Sequence, residues 1–415
     1  MSHSTKKYTV ITPKYVTRFQ CIGPKCEDTC CAGWRVSIDK QTYEDYRTSE
    51  HPLLRAKFET AIVHNSKAAS DAEYAFLQLK PNSPNCAFLA EGSCEVHRDI
   101  GPEALSDTCY VYPRQTYLID GQCEQVLSMS CPEAARLALL ADDAFDFVLH
   151  EFTVRDSTMV VAGQYNGVSL PLINEVRIFC LQLMRTKEME LWQRLAVLGL
   201  FCENLTTLVN NRQPLKIMGL IGTFRQMVEG GQILDALGEM PSNHEIQSHI
   251  FFLFIRMNWE DGWRSARLHD IQTRIQEGLG IADGLEGELT PEQRQSMMQR
   301  YSEGLARLPQ ALEAAPHLIE NYMLNSMLIE LFPFKHNSTY EDFLVLATRF
   351  GILRMTLAAQ CTPGRPLPTV DQLVQTVQIF AKRYQHNRVF SGEICNILQK
   401  SGWSDLKNVY SFLRA

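Results

Sequence analysis

The spacing of apolar positions changes along this chain. Through residues 1–140 they come in short alternating runs. Tyr8–Thr12 (YTVIT) and Trp34–Ile38 (WRVSI) have the two-residue period of strands. Gln115–Met129 (QTYLIDGQCEQVLSM) predicts a hairpin turning at Asp120-Gly121, a pair that tolerates positive φ. Gly and Pro punctuate the loops between, as in KPNSPNC before Cys86. From about Glu133 the period lengthens to that of a helix. Val176, Phe179, Cys180, Leu183 and Met184 recur at spacings of three and four, and Leu191, Leu195, Leu198, Cys202 and Leu205 continue the pattern. Thr290 with Gln293, Ser338 with Glu341, and Thr369 with Gln372 have the spacing of capping boxes. CTPGRPLP (361–368) reads as a connector between helices. The expected fold is mostly α: a small, irregular α+β cysteine-rich module over residues 1–140, then a large all-helical domain over 145–415. No fixed-period repeat or low-complexity tract interrupts it.

Composition narrows the function classes. A length of 415 residues, 45% apolar and 21% charged, is ordinary for a globular protein with more than one domain. A net charge of −7 argues against a broad nucleic-acid-binding surface. The start of the chain lacks the apolar core of a secretory signal, and no run approaches the length of a membrane span. The most apolar stretch, HIFFLFIRMNW (249–259), is too short to cross, so it reads as a buried helix, with peripheral membrane attachment left open. The expected location is the cytoplasm.

Cysteine usage changes the picture most. Nine of the thirteen cysteines fall between Cys21 and Cys131, and four of them, Cys21, Cys26, Cys30 and Cys31, lie within CIGPKCEDTCC. Cys180, Cys202, Cys361 and Cys395 sit in helical patterns as small hydrophobes. In a reducing compartment, clustered thiols bind metal more often than they form disulfides. Cys86-x7-Cys94 is looser than a usual zinc pair, and adjacent Cys30-Cys31 suits one small ion poorly. An iron–sulfur cluster, which spreads its ligands over several corners, fits better. The ligand pool is Cys21, Cys26, Cys30, Cys31, Cys86, Cys94, Cys109 and Cys131, with Cys26, Cys30, Cys31 and Cys86 preferred. A single cluster takes four, so the rest are packing residues or serve a second metal. Cys123 falls in the predicted hairpin and is set aside, and His97 reads as a surface or hydrogen-bonded histidine.

These motifs resemble a known family. Phe19-x-Cys21, Cys26 and Cys30-Cys31, then CAFLAEGSCEVH (86–97) and CYVYP (109–113), are similar to a cysteine-cluster family described as iron- or zinc-chelating. With the long helical extension, the opening CIGPKCEDTCCAGWRVSID resembles the flagellin lysine N-methylase family of enteric bacteria. That resemblance implies methyl transfer from S-adenosylmethionine to lysine ε-amines of flagellin, with a [4Fe–4S] cluster on the cysteines. It implies no residue roles beyond the thiols. Tyr110, Tyr112 and Arg114 follow Cys109 directly and are candidates for holding donor or lysine, against the alternative of a packed Pro-containing turn. Trp34 and Arg35 follow the double cysteine in the same way.

Neither common methyltransferase signature is present. GLGIADG (278–284) follows a helical segment instead of a strand, so it reads as a helix end and not as a dinucleotide loop. Cys26-x3-Cys30 begins a radical-type motif, but Gly33 stands where a third cysteine would. A metal-stabilised binding module without catalysis and a redox protein therefore remain as alternatives. The helical half is expected to recognise the protein partner. Oligomeric state is left open.

Overall fold

A computed structural model of the chain describes residues 3–238, 240, 242–259, 265–281, 289–385 and 388–414. Its contacts divide into two compact units, residues 1–137 with 146–161, and residues 138–145 with 162–415.

The first unit holds the strands. A five-stranded sheet comprises β1 (Thr5–Pro13), β7 (Arg114–Ile119), β8 (Gln122–Leu127), β9 (Phe147–Arg155) and β10 (Val160–Val161), in the order β10-β7-β8-β1-β9. β7 and β8 form the expected hairpin, and Asp120 (φ 49°) and Gly121 (φ 77°) both take the left-handed conformation that a tight two-residue turn needs. WRVSI contributes only two residues of strand, β2 (Ser37–Ile38). It pairs with β4 (Ala75–Leu77), which also pairs with β3 (Ile62–His64). A two-stranded ribbon, β5 (Leu89–Ala90) and β6 (Ser93–Cys94), completes the set. Val36, Ile38, Phe58, Leu77, Cys86, Phe88 and Val96 form one apolar core, against which Cys31, Cys94 and Cys109 pack.

Strand structure runs further along the chain than the apolar pattern indicates. Residues beyond 145 read as helical, yet β9 pairs with β1 over nine residues, from Thr5↔Arg155 to Pro13↔Phe147. Phe147 and Leu149 are exposed and the strand shows no clean alternation. Its stability comes from backbone pairing with a distant strand, which periodicity cannot register.

From Leu170 onward the second unit is helical. Val176, Phe179, Cys180, Leu183 and Met184 are all buried in the helix Leu170–Met184. At the centre lies Thr339–Ala358, buried on all sides, as a helix apolar around its whole circumference must be. Leu191–Asn210, His244–Trp259, Pro291–Ala311, Arg388–Lys400 and Leu406–Leu413 pack on it. Thr290 and Thr369 make reciprocal capping boxes, whereas Ser338 makes the forward half, accepting from the Glu341 N–H. HIFFLFIRMNW lies in His244–Trp259 with Phe251, Phe252, Phe254 and Ile255 buried. Among the described residues no helix is long and apolar enough to cross a membrane. Of GLGIADG, Gly278 and Leu279 end the helix Ala266–Leu279 and Gly280 (φ 71°) caps it, while 282–284 lie outside the described residues.

Candidate metal centre

The thiols are brought together by short connections around the β5–β6 ribbon. The Cys86 N–H donates to the Cys31 carbonyl at 2.7 Å, and an isolated bridge pairs Ala32 with Asn85, so the double cysteine lies alongside Cys86. β6 then returns Cys94 opposite Leu89. The Sγ atoms of Cys30 and Cys31 are 4.0 Å apart, and Cys31 also meets Cys94 through its thiol. Cys109, on the short helix Asp107–Val111, faces Cys94, Cys30 and Cys86. Cys131 faces Cys26 and Cys30, and Cys26 faces Cys21. Cys30 thus joins two neighbourhoods: Cys31, Cys86, Cys94 and Cys109 on one side, Cys21, Cys26 and Cys131 on the other. Among the described residues no three sulfurs lie within 4.8 Å of one another.

Crowding and burial govern how these thiols ionise. Burial, with the thiols of Cys94, Cys30 and Cys86 beside it, pushes Cys109 up to about 12. Burial, with Cys26 and Cys30, does the same for Cys131 despite amides that favour its thiolate. Contact with Cys30 and Cys94 pushes Cys31 up, and contact with Cys31 holds Cys94 down, so the pair titrates together. Several sulfurs also accept main-chain N–H bonds: Cys94 from Val96 and His97, Cys131 from Glu133 and Ala134, Cys86 from Phe88, and Cys26 from Asp28. For Cys94 and Cys131 the donors come from the first turn of the helix that follows, Glu95–Asp99 and Pro132–Leu140. Amides directed at these sulfurs, in a crowded setting, fit an iron–sulfur cluster, whose properties depend on such hydrogen bonds.

The three candidates after Cys109 occupy different settings. Tyr112 hydrogen-bonds Ser130 (3.0 Å) and lies beside Cys131 and Cys30. Arg114 stacks over Phe19 at 5.0 Å, with Cys21, Cys131 and Tyr110 as its other neighbours, and burial lowers its pKa. Tyr110 lies under the Arg155 guanidinium at 3.7 Å. Trp34 donates to the Cys30 carbonyl at 2.9 Å, and Arg35 stacks on Phe76. His97 is exposed, and Cys123 lies in β8 opposite Val10 and Leu118.

A second polar group in this unit escaped the sequence. His3 lies 3.7 Å from Asp39 and 3.4 Å from Asp107, and the three donor atoms fall within 4.8 Å of one another. Asp39 already accepts from the Thr42 and Asp107 amides, and Asp107 from the fully buried Arg155 at 3.2 Å. These residues are far apart in sequence and belong to no motif, so no local pattern announces them.

Residues 177–412 match the family described as the FliB lysine N-methylase C-terminal domain. A lysine-N-methylase of Salmonella typhimurium is 25% identical over 390 residues, covering 92% of this chain and 93% of the relative. One from Salmonella choleraesuis is 24% identical over the same length. The flagellar biosynthetic protein FliU of Salmonella muenchen is 33% identical over 140 residues, 34% of this chain and 82% of that protein. No solved structure matches the chain.

Proposed function

The chain belongs to the FliB lysine N-methylase family, and from that premise we propose that it is a protein-lysine N-methyltransferase acting on flagellin in the cytoplasm, with S-adenosylmethionine as donor. The observation that carries this reading is the family match across the helical unit, together with relatives aligned over nearly the whole chain. The thiol cluster supports a [4Fe–4S] centre, for which Cys30, Cys31, Cys86 and Cys94 are the best-placed ligands, with Cys109 packed beside them. This set takes Cys94 in place of Cys26, because Cys94 meets Cys31 directly. Bound there, such a cluster supplies redox-active, Lewis-acidic iron.

The chain's own residues would do the rest. Lysine is mostly protonated near neutral pH, its usual pKa being about 10.4, so the site must favour the free amine by desolvation or by a proton acceptor. Arg114, half-buried with Cys21, Cys131 and Tyr110 as neighbours, and Tyr112, hydrogen-bonded to Ser130, would border the cluster within the first unit.

The test is methyl transfer to purified flagellin by anaerobically prepared protein, with iron and sulfide measured on the same sample. Donor-dependent incorporation is expected from wild type and from Cys123→Ser. Cys31→Ser and Cys94→Ser should lose iron, sulfide and transfer together. Transfer by wild type without iron would remove the cluster from the proposal, and no transfer from iron-loaded protein would remove the activity.

A further inference from the structure

Any lysine methyltransferase has to deal with the proton on the ε-ammonium, and one histidine of the helical unit is held by a buried carboxylate with its second ring nitrogen left over. His336 Nδ1 lies 2.8 Å from Asp342 Oδ1. Asp342, whose side chain is 2% exposed, sits in the first turn of the buried helix Thr339–Ala358. Its Oδ2 accepts the main-chain N–H groups of Lys335 and His336, both at 3.1 Å. The carboxylate is thus fixed on both oxygens and fixes the ring in turn. A carboxylate accepting from Nδ1–H leaves Nε2 as the basic nitrogen. Nε2 makes no hydrogen bond among the described residues, and the side chain is 18% exposed.

The other paired histidines are arranged differently. His3 engages partners through both ring nitrogens. His244 and His317 use Nδ1, on Ser302 and Asp142, but bury Nε2 without a partner. The charged and titratable groups around the His336–Asp342 pair include the buried thiols of Cys202 and Cys395, on the Asp342 side, and two cations. Lys335 pairs with Glu330 at 2.9 Å, and Arg349 pairs with the same carboxylate at 2.6 Å. Tyr165 donates to the His336 carbonyl at 3.0 Å and, like Glu341, lies on the Asp342 side. Neither neighbouring cation is left unpaired, and Asp342 is the carboxylate directed at the ring.

We propose that His336, oriented by Asp342, is the base that takes the proton from the substrate lysine. The inference rests on the lysine N-methylase reading and lies within the stretch that matches its C-terminal domain. The proton moves from the ε-ammonium to Nε2. The freed lone pair then forms the new C–N bond as the bond from the methyl carbon to the donor's sulfonium sulfur breaks, its electron pair passing to sulfur. The product is a methylated ammonium, and His336 returns its proton to water. In this scheme His336 is the catalytic base and Asp342 a positioning residue.

The test combines His336→Gln and Asp342→Asn with a pH profile of methyl transfer and long-range nitrogen NMR of the wild-type imidazole. The expected loss at neutral pH is roughly 10²–10⁴-fold for His336→Gln, the usual range for a removed general base. That loss should shrink as pH rises toward the lysine pKa, because the substrate then deprotonates unaided. A structural anchor would give a loss that does not depend on pH. NMR should show the Nδ1–H tautomer in wild type. An active wild type whose profile His336→Gln leaves unchanged overturns this inference alone, and so does an Nε2–H tautomer, even if the variants fail to fold. A wild type that methylates no lysine overturns the functional reading as well.

Discussion

Arg155 shows how much of the first unit depends on one side chain. It is fully buried, donates to the carbonyls of Leu105 and Glu103 at 2.8 Å and to Asp107 at 3.2 Å, and covers Tyr110. Replacing it removes the donor from the part-buried Leu105 carbonyl and Asp107 carboxylate, so Arg155→Met should cost about 1–3 kcal/mol in denaturant unfolding. A loss below about 0.5 kcal/mol, that of an ordinary surface substitution, would show that these bonds are not structural. Asp39 adds a pH dependence. Burial alone would push its carboxyl up, but the Asp107 and Thr42 amides and the Thr42 hydroxyl outweigh burial and hold it below its usual value. A lowered folded-state pKa stabilises the protein above the unfolded value of about 3.9, and that stability is lost as pH falls through the folded one. Acid unfolding of Asp39→Asn should therefore lack one acid-sensitive component present in wild type; superimposable acid limbs would contradict this. None of these contacts could be read from the sequence, because each joins residues about fifty or more apart. The exception is Asp39 with Thr42, a local N-cap on helix Lys40–Thr48.

Elements were legible where local chemistry decides them. Asp120-Gly121 specifies its turn, and Thr290 and Thr369 specify their caps, because the interacting groups are three residues apart or fewer. β9 was not legible, since its partner β1 is some 140 residues away. The gathering of thiols was legible as a cluster, but the contact of Cys31 with Cys94 depends on the β5–β6 ribbon. GLGIADG shows how one residue type can suggest two roles. Gly278 lies where the helix Ala266–Leu279 touches the turn at Ala359–Cys361, and a Cβ there would meet the Ala359 carbonyl oxygen at 1.7 Å. The glycine provides close packing, with no phosphate needed to explain it. Gly278→Ala should destabilise by about 1–3 kcal/mol or more, since backbone must shift. Gly222→Ala, in helix Ile217–Glu229 with nothing within 4 Å of its Cβ, should gain about 0.5–1 kcal/mol. Thermal melts of both variants check the pair, and equal shifts would refute the packing argument.

Across the whole molecule the chemistry-bearing residues are divided between the units. The clustered thiols belong to the first, while Cys180, Cys202, Cys361 and Cys395 are buried in the second as packing residues. If metal holds the first unit's loops, its removal should act there. Hydrogen exchange after iron chelation should show lost protection over Cys86–Asp99 and unchanged protection over Thr339–Ala358. A uniform loss, or none, would contradict a metal-organised module. Whether this chain methylates lysine is decided by peptide mass spectrometry of flagellin incubated with the purified protein and S-adenosylmethionine. Methyl groups are expected on lysine side chains, present only when both protein and donor are added. Unmodified lysines, or methyl groups confined to other residues, would contradict the methylase reading.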